Sequence, residues 1–233
     1  MLERLHFNKD TMRELLKIAL PMVVSQGAFA VMIFTDRYFM SQIDPTHMAA
    51  ALGGGVACFF SFCFFSGLLS YGNAMAAQYL GAGEPEKCPK VVTQGFIMAM
   101  MSIPALVVIT YFVSGIFENM GHDPRQVELE RTYYIILMLG IVVTLAKICL
   151  SSYFAGIART HVVMICDVFG LVINVPLSYV MVFGKLGLPA LGIVGAGIST
   201  IVATILGFLA FVSFYLAREH REKFCVMESF HLD

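Results

Sequence analysis

Asp36 stands near the end of a long apolar run, in Val31-Met-Ile-Phe-Thr-Asp-Arg-Tyr-Phe-Met40. A charged side chain in the middle of a membrane-spanning helix costs at least ~2.5 kcal/mol. Asp36 therefore either snorkels to the interface beside Arg37 or has a task inside the bilayer. Lys147, Asp167, Asn174 and Ser178 interrupt other apolar stretches. Asp167, Asn174 and Ser178 follow one another at steps of seven and four residues. At about 100° per residue, all three fall within about 40° on one helix face. A stripe of this kind is expensive against lipid, so it should face the interior or a water-filled cavity. On a helix running from inside to outside, Asp167 lies low, Asn174 near the middle and Ser178 higher, at the depth of Asp36; an acid, an amide and a hydroxyl there can bind a cation or hold a proton. The same groups can also form a hydrogen-bond network that only packs helices together. Lys147 and Asp167 carry opposite charges and should pair, since buried charges normally do.

These residues need long helices to position them, and the composition supplies them. Of 233 residues, 58% are hydrophobic and 13% charged, against about half and a quarter in soluble domains. A crossing helix needs about 20 mostly apolar residues. Six segments qualify: Leu15–Met40, His47–Leu80, Val91–Phe117, Arg131–Ile157, Val162–Phe183 and Pro189–Ala217. The expectation is an all-α membrane protein, a bundle of six transmembrane helices forming a single lobe over residues 1–233. The second segment is too long for one crossing and should extend into the cytosol. Between segments lie IDPTH, GAGEPEKCPK, ENMGHDPRQVE, ARTH and GKLGLP, which carry helix-stopping residues. In GHDPRQ, Asp123 can cap the following helix with Pro124 in its first turn.

Loop charges set an orientation. Arg4, Lys9, Arg13, Lys17, Lys87, Lys90, Arg159, Arg218, Arg221 and Lys223 fall on one side. Arg125, Arg131 and Lys185 fall on the other, with Arg37 at its edge. The first side is predicted to be cytosolic, with both termini there. Trp is absent, so Tyr38, Tyr133, Tyr134 and Tyr215 are expected to anchor the interfaces. Gly53, Gly54 and Gly55 in the second span, and Gly192, Gly195, Ala196, Gly197 and Ser199 in the sixth, should permit close helix approach.

Pro21 inside the first span removes a backbone hydrogen bond, giving a static kink or a hinge that changes exposure of Asp36. Pro104 and Pro176 are similar breaks. The 15 Met and 20 Phe residues would suit a pliable cavity or simple packing. A formal net charge of −1 argues against nucleic acid as a partner. The six cysteines lack zinc-ligand spacing and read as reduced packing residues. No P-loop, Ser-His-Asp or His-Glu-x-x-His pattern is present. The chain is thus expected to be no enzyme, with no metal and no cofactor.

Several motifs follow in a fixed order: ALPMVVSQ (Ala19–Gln26), Thr35-Asp36, AAQYLGAGEPEK (Ala76–Lys87), GHDPRQV, FAGIART (Phe154–Thr160) and NVPLSYVMVFGKLGLPALGIVGAG (Asn174–Gly197). From Lys17 to Arg221 this series resembles the N-terminal lobe of the multidrug and toxic compound extrusion (MATE) family, nearest its NorM-type branch. The resemblance implies multidrug efflux from the bacterial inner (plasma) membrane. Small organic, often cationic substrates would leave by antiport with Na+ or H+. It implies a coupling role for Asp36, with Asn174 matching the Asn of the helix-five motif and Pro21 the helix-one proline associated with bending. Tyr133 or Tyr134 matches a helix-four Tyr. Ser178 stands where one branch has Asp and others commonly Asn, which argues against a strong sodium site in this lobe. Arg37 replaces a small residue, and Lys147 lies in a span that lacks its usual proline. Lys147, Asp167, Tyr133 and Tyr134 form an accessory polar set around Asp36, Asn174 and Ser178. Family transporters have two six-helix lobes, so the implied partner is a second lobe or a second copy of this chain. The alternatives are a truncated, non-transporting remnant, or a flippase for a lipid or polysaccharide precursor. A flippase would need a basic cluster, for which only Arg37 and Lys147 stand ready.

Overall fold

A computed structural model describes residues 9–217. These residues are mostly helical, with no strand among them: α1 (Lys9–Ser41), α2 (Pro45–Ser70), α3 (Gly72–Gly81), α4 (Cys88–Ile116), α5 (Pro124–Leu139), α6 (Ile141–Gly156), α7 (Thr160–Phe183) and α8 (Ile193–Tyr215). The helices begin where local chemistry allows. Asp44 accepts from the His47 backbone N–H at 2.8 Å, and Pro45 opens α2. Asp123 accepts from Arg125 N–H at 2.9 Å, and Pro124 opens α5, as its sequence suggests. Gly184 closes α7 at φ +67°, where a Cβ would stand 2.5 Å from the Ala190 nitrogen.

Among the described residues, five helical stretches are long and apolar enough to cross a membrane; α5 and α6, taken as one span bent by 50°, bring the number to six. The expected fourth span, Arg131–Ile157, is thus two helices meeting at Gly140. A Cβ on Gly140 would lie 2.7 Å from Ile201 Cγ1, so the break lets α8 come close. The expected second span divides at Tyr71 into α2 and α3. The sixth begins at Ile193 rather than Pro189. Residues 189–192 form a loop folded onto the end of α7, with Leu191 and Gly192 N–H donating to Met181 and Val182 carbonyls at 3.0 and 3.2 Å. Gly192, at φ +53°, belongs to that loop and not to a helical packing face.

α1 lies along α7, α7 along α8 and α2 against α5, while α6 meets α3, α4 and α8. The small residues make these approaches close: a Cβ on Gly54 would stand 2.9 Å from the Glu130 carbonyl oxygen, and one on Gly195 2.7 Å from the Met181 carbonyl oxygen. One core cluster joins Leu150, Tyr153 and Phe154 to Phe211 and Tyr215. Another joins Cys58, Leu106 and Tyr134 to Leu145, and a third joins Met40 and Ala50 to Tyr133, Val182 and Ile193. Tyr133, Tyr134 and Tyr215 are therefore core residues rather than interfacial anchors; of the four tyrosines only Tyr38 is exposed. Cys63 is half-buried, unlike the buried Cys58, Cys88, Cys149 and Cys166. Exposed Met101, Tyr111, Phe112, Phe60 and Phe64 give α2 and α4 an apolar exterior suited to acyl chains. Arg4, Arg218, Arg221, Lys223 and Cys225 lie outside the described residues.

Candidate coupling site

α1 and α7 run parallel in a fixed register, with side chains meeting at a separation of 142 residues on two rungs. On the rung nearer Ser41, Asp36 is only 6% exposed. Ser178 Oγ donates to Asp36 Oδ1 at 2.8 Å and Thr200 Oγ1, from α8, lies 3.1 Å from Oδ2. The Thr200 hydroxyl also stands 2.9 Å from the Ala196 carbonyl, so its one hydrogen serves either acceptor. Among the described residues no Lys, Arg or His forms an ion pair with Asp36. On the other rung, Ser25 donates to Asp167 Oδ2, and Lys147 Nζ lies 2.8 Å from Asp167 Oδ1. The rungs are eleven residues apart on α7, about 16 Å along a helix.

Asn174, one turn before Ser178, is fully buried, yet its amide oxygen and nitrogen have no hydrogen-bond partner among the described residues. The structure thus brings Ser178 to Asp36 but not Asn174. Tyr133 is buried within electrostatic reach of Asp36, packed on Gly54 and Gly197. Tyr134 points to α2 instead, with its hydroxyl 2.9 Å from Ser61 Oγ. Pro21 is buried inside α1, which runs unbroken through it, four residues before Ser25.

Three polar groups escaped the sequence reading. Thr200 follows the small-residue run of α8, and Ser25 lies within ALPMVVSQ; each was readable as a hydroxyl in an apolar span. Glu130 is 1% exposed, accepting from Gln126 Nε2 at 2.8 Å and lying 3.1 Å from His122 Nδ1. An apolar span of Arg131–Ile157 begins one residue after Glu130 and assigns it to the preceding loop. Outside the spans, the His47 side chain and backbone hydrogen bonds hold the Asp44 carboxyl below its ordinary value of 3.8. No cluster of three or more His, Cys, Asp or Glu suited to a metal occurs among the described residues.

Two neutral hydroxyls orient a carboxylate without cancelling its charge, so the Asp36 rung is chemically suited to taking up a proton or a small cation. The other rung is already neutral as a pair.

A family model described as MatE matches residues 21–180. Multidrug resistance protein NorM of Vibrio vulnificus (strain CMCP6) is 30% identical over 217 residues, 93% of this chain and 47% of that protein. Probable multidrug resistance protein NorM of Bacillus subtilis (strain 168) is 28% identical over 213 residues, 91% of this chain and 47% of that protein. The solved outward-facing conformation of a multidrug resistance MATE family transporter of the MOP superfamily has the same fold, with a TM-score of 0.80 at 20% identity over 94% of this chain and 48% of that one. The chain spans about half the length of the curated relatives it matches. Its bundle of membrane-crossing helices and the match over residues 21–180 place it plainly: the chain is a multi-pass membrane protein and belongs to the MatE family.

Proposed function

We propose that the chain is half of a secondary-active exporter that moves small organic molecules out of the cell in exchange for H+ or Na+. The other half is a second six-helix lobe or a second copy of this chain. Both termini face the cytosol of a bacterial inner membrane. The observation that carries this reading is Asp36, a carboxylate buried in a spanning helix with two neutral donors and no paired cation among the described residues. Proton or cation uptake there relieves an uncompensated charge, and it favours whichever arrangement of α1 holds the ion more tightly. Ser178 and Thr200 position the carboxylate. Asn174, whose amide has no partner in this arrangement, joins the site in another, and Pro21 is the hinge. A flippase is disfavoured because Lys147 is already paired with Asp167.

The test is efflux of ethidium from proteoliposomes under an imposed proton or sodium gradient. Asp36→Asn is expected to abolish gradient-driven efflux while the protein still inserts. Efflux at the wild-type rate in that variant would remove Asp36 from coupling.

A further inference from the structure

The two rungs between α1 and α7 leave one charged feature of α1 unused. Arg13 and Lys17 are exposed, stand one turn apart and form no ion pair among the described residues. They rim a groove of about 480 Å³ between the first turns of α1 and α7, with His161 of α7 as its third basic group. None of its lining residues is Asp or Glu. Leu16, Leu20 and Met164 supply apolar wall, and the buried Pro21 lies at its far end along α1.

We infer that this groove holds an anionic phospholipid, its phosphate on Arg13, Lys17 and His161 and one acyl chain laid along Leu16, Leu20 and Met164. The order of residues along α1 matches the order of groups in a leaflet. The basic pair comes first, and Leu20 lies seven residues beyond Arg13, about 10 Å deeper along the helix. Guanidinium and ammonium groups pair with phosphate oxygens while their stems cover apolar surface. An imidazole N–H donates in either charge state. A zwitterionic lipid would bring an ammonium group to a rim that has no carboxylate to receive it. A second copy of the chain fits worse. Inserted in the same direction, it would present its own Arg13, Lys17 and Lys87 at this end, so like charges would meet. The lipid is a resident ligand rather than cargo, because the groove shares no residue with the cavity that Lys147 and Asp167 line. Seated there, it ties the part of α1 before Pro21 to α7.

Phosphatidylglycerol and phosphatidylcholine with identical acyl chains are the probes. Binding is read by native mass spectrometry of the purified full chain in a neutral detergent, as the fraction carrying one lipid. Phosphatidylglycerol is expected to bind at least about fivefold tighter than phosphatidylcholine, the scale of one basic residue near an anionic headgroup. Arg13→Gln combined with Lys17→Gln should weaken phosphatidylglycerol by at least about tenfold and leave phosphatidylcholine unchanged. Both positions are exposed, so the double variant should fold. Lys87→Gln combined with Lys90→Gln removes the same charge from the same end of the bundle and should leave both lipids at wild-type affinity. Equal binding of the two lipids, or an equal loss in both double variants, would overturn the inference. So would a dimer that excludes the lipid, which would give the groove to a second copy. The measurement needs neither a gradient nor a second lobe, so a chain that does not transport still reports it.

Discussion

Asp36 and Asp167 are the same residue type on facing surfaces of α1 and α7, yet their neighbours give them different chemistry. Asp167 has a cation 2.8 Å away, whereas Asp36 has only hydroxyls. If the second hydroxyl positions Asp36, Thr200→Val should slow gradient-driven efflux by about tenfold, the scale of one hydrogen bond to a charged group. Thr200→Ser should restore most of the rate. Equal initial rates for the two variants would remove Thr200 from the site. Asp44 allows a test outside the membrane. Its folded value lies below 3.8, so the charged form is the one the fold favours. Its stabilising effect is present above that pH and is lost as pH falls through the folded value. Asp44→Ala should lower the thermal unfolding temperature near neutral pH, and the gap from wild type should close below pH 3.8. A gap that stays constant with pH would refute the ionic part of this cap.

Helix boundaries and crossings depend on glycines whose roles differ sharply. A Cβ on Gly156 would meet the Asn73 carbonyl oxygen at 2.4 Å and Ala76 Cβ at 2.8 Å, whereas one on Gly67 would meet nothing within 4 Å. Gly156→Ala should therefore force α3 and α6 apart at a cost of about 2 kcal/mol, as overpacking does. Gly67→Ala should stay within ~0.5 kcal/mol of wild type. Thermal unfolding in one detergent measures both, and equal stability would contradict the α3–α6 crossing. The existence of the spans was legible because apolar runs of sufficient length are a local property. The break at Gly140 was not, because Ile201, the residue that exploits it, lies on another helix. A span that begins at Arg131 leaves Glu130 outside it, whereas tertiary packing buries Glu130 against Gly53.

At the scale of the whole molecule, the chain of 25.7 kDa spans about half the length of its curated relatives, and the proposed reading assigns the other half to a second lobe or a second copy of this chain. Mass photometry in mild detergent should show a species at twice the chain mass if a second copy supplies that half. A strictly monomeric chain that nonetheless drives coupled efflux would exclude the need for it.

The sequence by itself determined the helical membrane class, the polar stripe of α7, the cap at Asp123, and the presence of Asp36 in an apolar run. Each follows from composition or from a period of 3.6 residues, and both are readable along one segment. Only the tertiary structure decided that Thr200 and Ser178, not Asn174, reach Asp36, that Tyr133 rather than Tyr134 faces it, and that Ser25 and Lys147 share Asp167. Those pairings depend on the relative register of neighbouring helices. That register comes from many close contacts of small residues across chain-distant faces, and no single helix carries it in its own pattern.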